Sequence, residues 1–190
     1  MIGIVVILAL AAIATVYCVG IYNGLVSLRE NTRVAWANID VLLKQRHDEL
    51  PKLVDSCKRY MQFEQDTLER VMRARASVDR ASASGDVAAL GSAERQLRAG
   101  MGRLYAVAEN YPQLKSDATF KQLQQRIIAL EVSIADRREL YNETVNLNNI
   151  RVNLFPDSLI AGRFGFARAH LLEFAAAERS DVDVGGLFRT

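Results

Sequence analysis

The sequence predicts an all-α protein: one N-terminal transmembrane helix continuing into an antiparallel bundle of three long helices, with a short C-terminal helical segment. Three observations carry this. The 190 residues hold 11 glycines and 3 prolines, too few for a turn-rich β fold. No charged side chain precedes Arg29, so the near-zero mean hydropathy of +0.02 averages an apolar piece and a polar one. Beyond that point apolar residues recur at alternating steps of three and four, the helical period. The expected organisation is an anchor at 1–28, a bundle at 29–150, and a Phe-rich segment with a tail at 151–190.

The first element is the apolar run Ile2–Tyr22. At about 1.5 Å per residue it is long enough to cross about 30 Å of hydrocarbon, with Tyr17 and Tyr22 suited to the headgroup level. The run exceeds the apolar core of a secretory leader and no basic residue precedes it, so a retained anchor is expected. Arg29, Arg33, Lys44 and Arg46 follow it. The positive-inside rule then places the C-terminal region in the cytoplasm and the short N-terminus outside. The expected location is a bacterial inner (cytoplasmic) membrane. Gly20 and Gly24, four apart, would let neighbouring anchors approach closely.

From Leu25 to Ser84 there is no glycine and a single proline. One seam runs Trp36, Ile39, Leu43, Arg46, Leu50, Leu53, Cys57, Tyr60, Glu64, Thr67, Val71, a heptad-like pattern that needs a partner helix. Pro51 lacks a donor N–H, so it either kinks this helix near Arg46–Leu50 or begins a second one capped by Asp48. The first clear break is Ala81–Asp86, where Asp86 is a good N-cap. A second helix carries Leu90, Ala93, Leu97, Met101, Leu104 and Ala108 to Tyr111-Pro112. A third, capped by Ser116 or Asp117, carries Phe120, Leu123, Ile127, Leu130, Ile134, Arg138, Tyr141, Val145 and Asn148.

The C-terminal stretch around Phe155, Phe164, Phe166, Leu171 and Phe174 is dense in apolar side chains. It is open to three readings: a fourth short helix closing the core, an interfacial membrane segment, or a contact between subunits. Together with Trp36 these residues form the candidate interface. Asp181–Thr190 reads as a tail or docking strand.

Arg46, Glu64, Arg138 and Asn148 stand where apolar residues belong. A buried charge must be paired, so they form either a satisfied polar network or a small polar site. No catalytic, cofactor or metal site emerges. Two Cys and two His, far apart, do not make a four-ligand zinc site without help from carboxylates, and neither His follows a Glu by three. No glycine-flanked serine elbow or phosphate loop is present. A net charge of +2 gives no broad field for nucleic acid. The arginines at 70–80 alternate with Asp66, Glu69 and Asp79 as helix pairs on a solvated face.

Several spaced motifs carry a family resemblance. They include Tyr22-Asn23-Gly24-Leu25-Val26, Ala35-Trp36, Ile39-Asp40-Val41 and Leu43 through Val54. Further along come Glu109-Asn110-Tyr111-Pro112, Leu130-Glu131, Tyr141-Asn142, Phe155-Pro156 and Phe164-Gly165-Phe166. Over residues 20–170 the chain resembles the LemA family, departing at Gln45, Cys57 and Phe63. The resemblance implies one N-terminal membrane helix, a cytoplasmic helical bundle and no established enzymatic activity. Relatives associated with magnetosomes take part in forming their membranes, and others are often encoded beside membrane peptidases. The resulting expectation is a non-enzymatic scaffold that self-associates into a homo-oligomer and organises or shapes membrane. The alternative is an accessory binding module for another membrane protein. No cofactor is expected, and the expected partners are the lipid bilayer, further copies of the chain and such a membrane protein.

Overall fold

A computed structural model describes residues 1–173, and among them every regular element is a helix. They are α1 (Ile2–Lys58), α2 (Gln65–Ser84), α3 (Val87–Ala108), α4 (Pro112–Ser116), α5 (Ala118–Asn153) and α6 (Asp157–Phe164). The all-α expectation and the long apolar N-terminal helix are both present. Phe174 and the expected tail at Asp181–Thr190 lie outside the described residues. The chain divides into two units: residues 1–43 with 132–171, and residues 44–131 with Leu172 and Glu173.

In the first unit, α1 is exposed from Ile2 to Gly20. An exposed helix of this composition in water would forfeit the burial of every large apolar side chain it carries, each worth about 1.5–3 kcal/mol. Such a helix is long and apolar enough to span a membrane, which suggests anchoring. Burial begins at Ile21 and Leu25, which cluster with Ala161 and Phe166. The later part of α5 runs antiparallel to α1. A Cβ built on Gly24 would stand 3.3 Å from the Arg151 guanidinium, and Trp36 packs on Tyr141 with ring centroids 5.4 Å apart.

After α5 the chain passes through a cis Phe155-Pro156 bond into α6, which ends at Gly165 in the left-handed region (φ 72°). Glycine adopts that conformation without a Cβ clash. Residues 166–170 then run back along α5 without regular structure, held by α5 side chains. Asn148 donates to Ala167 O at 3.2 Å and Asn149 to Ala169 O at 2.9 Å. Ala169 N–H returns a bond to Asn149 Oδ1 at 2.8 Å, and the Tyr141 hydroxyl donates to His170 O at 3.0 Å. The expected short C-terminal helix is therefore α6, and the segment after it is a strap.

The second unit combines residues 44–58 of α1 with α2, α3, α4 and the start of α5. Here the structure corrects the expected length of the first long helix. It ends at Lys58, not at Ser84, and the chain reverses over residues 59–64. That stretch has no glycine or proline, so local propensity gives no stop. The reversal is tertiary: Met61 is fully buried and the Tyr60 hydroxyl donates to Asp117 at 3.1 Å. Asp117 also caps α5, accepting from Phe120 N–H at 2.9 Å. The expected break at 81–86 is present as the second one: Gly85 is left-handed (φ 68°) and Asp86 accepts from Ala89 N–H at 2.9 Å.

The Asp117 pKa is lowered, chiefly by the Phe120 N–H, with the Tyr60 hydroxyl adding to it. A carboxylate whose folded pKa lies below its unfolded value stabilises the fold above that unfolded value, and the stabilisation fades as pH falls through the folded pKa. Asp117→Asn keeps an acceptor for Phe120 but cannot titrate. Its stability is therefore expected to fall less steeply than the parent's below the ordinary value of 3.8, as read by chemical unfolding across about pH 2–5.

Pro51 neither breaks nor ends α1; it lies inside the helix, and no second helix starts there. Its missing N–H leaves the His47 carbonyl, four residues back, without its helical donor. Arg75 of α2 replaces that donor: its Nε bonds His47 O at 2.9 Å and its Nη2 meets His47 Nε2. An unsatisfied carbonyl there costs about 1–3 kcal/mol. Arg75→Met is expected to cost that much in the parent. In a Pro51→Ala background the restored backbone N–H at position 51 serves His47 O, and the same change should cost roughly half as much or less. A double-mutant cycle by chemical denaturation checks this, and equal costs in both backgrounds would remove the Arg75 assignment.

Candidate functional site

The seam residues of α1 from Ile39 to Cys57 are buried as the pattern requires, and Arg46 among them is 1% exposed. A guanidinium at that depth must be met by anions. Arg46 Nη2 bonds Glu94 of α3, itself buried, and Nη1 bonds Glu131 of α5 at 2.5 Å. Burial alone would lower the Arg46 pKa, but the two carboxylates outweigh it and raise it, so the cation is locked on. Arg98 lies 3.9 Å from Glu131 and Arg126 lies 3.6 Å from Glu49, which stands one turn after Arg46. Arg46 Nε, Glu49 Oε2 and Tyr105 Oη are buried without a hydrogen-bond partner. Burial, with Glu131 nearby, pushes the Tyr105 hydroxyl up.

This arrangement has the means to fix the register of three helices. One planar donor reaches acceptors on two other elements, so sliding any of them by a turn strands a charge. It offers little to a reaction. The nucleophile nearby, the Cys57 thiol, is buried and pushed up to about 11 by desolvation, so it stays protonated at neutral pH. No group of three metal-binding side chains occurs among the described residues.

Of the four residues of the expected polar network, Arg46 and Asn148 are buried. Arg46 is held by Glu94 and Glu131. Glu64 precedes α2 at its N-cap position without a side-chain capping bond. Arg138 is half-buried on α5. Asn148 is buried and holds the strap through Ala167. Glu94, Glu131, Arg75 and Asn149 are not among the residues that the seams single out. Two of them are legible in the pattern: steps of four and three from Leu90 give Glu94, Leu97, Met101, Leu104, and from Ile127 give Glu131, Ile134, Arg138, Tyr141. The apolar stripes run through Ala93 and Leu130 instead, and so pass over the two carboxylates facing Arg46.

Of the candidate interface residues, Phe166 is buried in the first unit's core, where Arg29 lies over its ring at 5.1 Å. Trp36 is half-buried against Tyr141, whereas Phe155, Phe164 and Leu171 are exposed. Of the two anchor glycines, Gly20 faces open space and Gly24 faces Arg151 of the same chain. A second exposed series lies on α5: Leu140, Leu147, Ile150 and Leu154 just beyond its end.

A long apolar N-terminal helix, of a length that suits a membrane anchor, followed by packed helices with a buried Arg46–Glu94 pair, defines a class of all-helical proteins. The profile of the LemA family matches residues 35–185, most of the chain, and the chain belongs to that family. It is similar to magnetosome protein MamQ 2 of Paramagnetospirillum magneticum, 25% identical over 194 residues covering 88% of this chain and 70% of the relative. Magnetosome protein MamQ of Magnetospirillum gryphiswaldense is 24% identical, covering 77% of this chain and 62% of its own length. Protein LemA of Metamycoplasma hominis is 25% identical, covering 89% of this chain and 76% of its own.

Proposed function

We propose that the protein is a non-enzymatic, membrane-anchored helical scaffold that self-associates and organises or shapes the membrane it sits in. The observation that carries this reading is the exposed α5 series. Leu140 and Leu147 stand seven residues apart, with Ile150 one turn further, on a helix whose opposite face is already buried by Ile134, Tyr141, Val145 and Asn148. A heptad-spaced apolar row outside the core is the surface a second helix takes. Magnetosome proteins among the relatives support a role at membranes. The basic residues Arg29, Arg33 and Lys44 after the apolar run support a cytoplasmic bundle on an inner-membrane anchor.

The test is photo-crosslinking in native membranes from a benzophenone side chain placed at Leu140 or Leu147. A ladder of multiples of the chain mass is expected, matched by an oligomer in electron micrographs of detergent-extracted protein. Adducts to a single different membrane protein would replace this reading with that of an accessory binding module. Monomers throughout would refute both.

A further inference from the structure

Three features of the first unit meet at one depth of α1. The apolar run of α1 covers residues 2–22, and at about 1.5 Å per residue it ends where about 30 Å of hydrocarbon ends. Tyr22 closes the run, in the position where amphipathic rings mark the boundary between lipid and water. Two rings from the C-terminal region pack on it: Phe164 with its centroid 5.0 Å away and Phe166 at 5.6 Å, both edge-on. Phe164 is thus held at the depth of the membrane surface by the anchor itself. Ala161 of α6 joins Ile21 and Leu25 in one cluster, which ties the whole of α6 to the same level.

The remaining side chains of this region make no sense as a watered surface. Phe155 is 76% exposed, Leu159 65%, Phe164 56% and Leu154 54%. These four large apolar groups, all between positions 154 and 164, are left uncovered next to the end of an apolar span. The charges are arranged to match. The one acid of α6, Asp157, is buried in an ion pair with Arg151, while Arg29 and Arg163 are exposed and cationic. Apolar side chains flanked by exposed cations, with the acid neutralised, are the chemistry of a lipid interface, where acyl chains meet phosphate.

We propose that residues 154–164 form an interfacial foot: Leu154, Phe155, Leu159 and Phe164 insert into the headgroup–acyl boundary of the bilayer that α1 spans, beside the exit of that helix. The occupant of these apolar groups is lipid, because Phe164 packs on Tyr22 and Ala161 on Ile21, at the end of the lipid-spanning run. The foot gives each chain a second, lateral hold on one leaflet. It adds area to that leaflet only, and it fixes the rotation of α1 about its own axis. This inference rests on the reading of α1 as a membrane anchor.

The test uses the full-length chain in phosphatidylethanolamine–phosphatidylglycerol vesicles, with one spin label per variant. The background carries Cys18→Ala, and Cys57 remains because it is buried and protonated. Labels are placed through Phe155→Cys, Leu159→Cys, Leu10→Cys and, as an aqueous reference, Phe63→Cys, a position 95% exposed. Collision with oxygen is compared with collision with a water-soluble nickel chelate. The label at Leu10 should favour oxygen strongly. Those at Phe155 and Leu159 should favour oxygen at least severalfold over the Phe63 reference. Neither Phe155 nor Leu159 belongs to the core cluster, and an unchanged helical circular dichroism spectrum confirms each variant's fold. Lipid-like collisions at Leu10 with Phe63-like collisions at Phe155 and Leu159 would overturn the foot and leave the anchor standing. Low collision with both reagents, with spin–spin broadening, would assign the face to a second copy and also overturn it. Water-like collisions at Leu10 would remove the anchor and the foot together.

Discussion

Replacing Arg46 by methionine is expected to destabilise the fold by about 3–5 kcal/mol, the cost of leaving a buried carboxylate without its cation. Glu94 is as deeply buried as its partner, so it cannot recover hydration when the guanidinium goes. Glu131 is half-buried and retains Arg98 at 3.9 Å, so its loss is smaller. The loss should be mostly recovered by changing both members of the buried pair. Arg46→Met with Glu94→Leu removes the charge and the countercharge, and apolar replacements of similar volume are often neutral in such sites. Chemical unfolding of the parent and of the single and double variants, followed by helical circular dichroism, checks this. Should the double variant be as unstable as Arg46→Met alone, the ion pair is not what the site requires. Arg46→Lys is expected to fail as well, because one ammonium lacks the forked geometry that reaches Glu94 and Glu131 together.

Asn149→Ala should release the strap of residues 166–170 and cost about 2 kcal/mol. The Asn149 amide bonds both polar groups of Ala169, imitating the paired exchange of a β-ladder on a helix surface. Without it the Ala169 N–H and carbonyl lose their partners, and the bonds from Tyr141 and Asn148, with that of Phe166 N–H to Ala161 O, are left to hold the strap backbone. Hydrogen exchange at Ala169 should accelerate by roughly tenfold or more while α5 amides keep their protection. Asn153 is the control, since its side chain bonds the Asn149 carbonyl, one turn back on α5, and not the strap. Asn153→Ala should leave the strap protected. Equal exchange in Asn149→Ala and parent would mean that the apolar contacts of the buried Phe166 hold the strap by themselves.

Both results bear on the proposed scaffold in the same way. Arg46 with its two glutamates and Arg75 with His47 tie helices together in one unit, and the asparagine-held strap does so in the other. Elements tied in this way present fixed outer faces. The α5 leucines and the α6 foot are useful only if they keep constant positions relative to the anchor-bearing part of α1. Stability of the interior and function at the surface are therefore linked through register, not through any shared chemistry.

Much of this protein is determined by local and periodic properties of its sequence. The apolar run to Tyr22 needs no partner to be recognised, because length and composition alone suit it to hydrocarbon. The seams of α1, α3 and α5 are buried or half-buried where the three-four rhythm places them, since burial on a helix follows its period. Asp86 and Asp117 cap the helices they precede, as side chains acting on their own backbone do. Only the tertiary structure decided the rest. It ended α1 at Lys58 through the burial of Met61 and the reach of Tyr60 to Asp117, where no residue forbids a helix. It carried α1 through Pro51 by lending the His47 carbonyl a donor from Arg75, 28 positions away. It chose Glu94 and Glu131 for Arg46, and turned Phe164 and Phe166 toward Tyr22 at the end of the apolar run. Each of these is a contact between residues distant in sequence, and periodicity reports which face of a helix is covered without reporting what covers it.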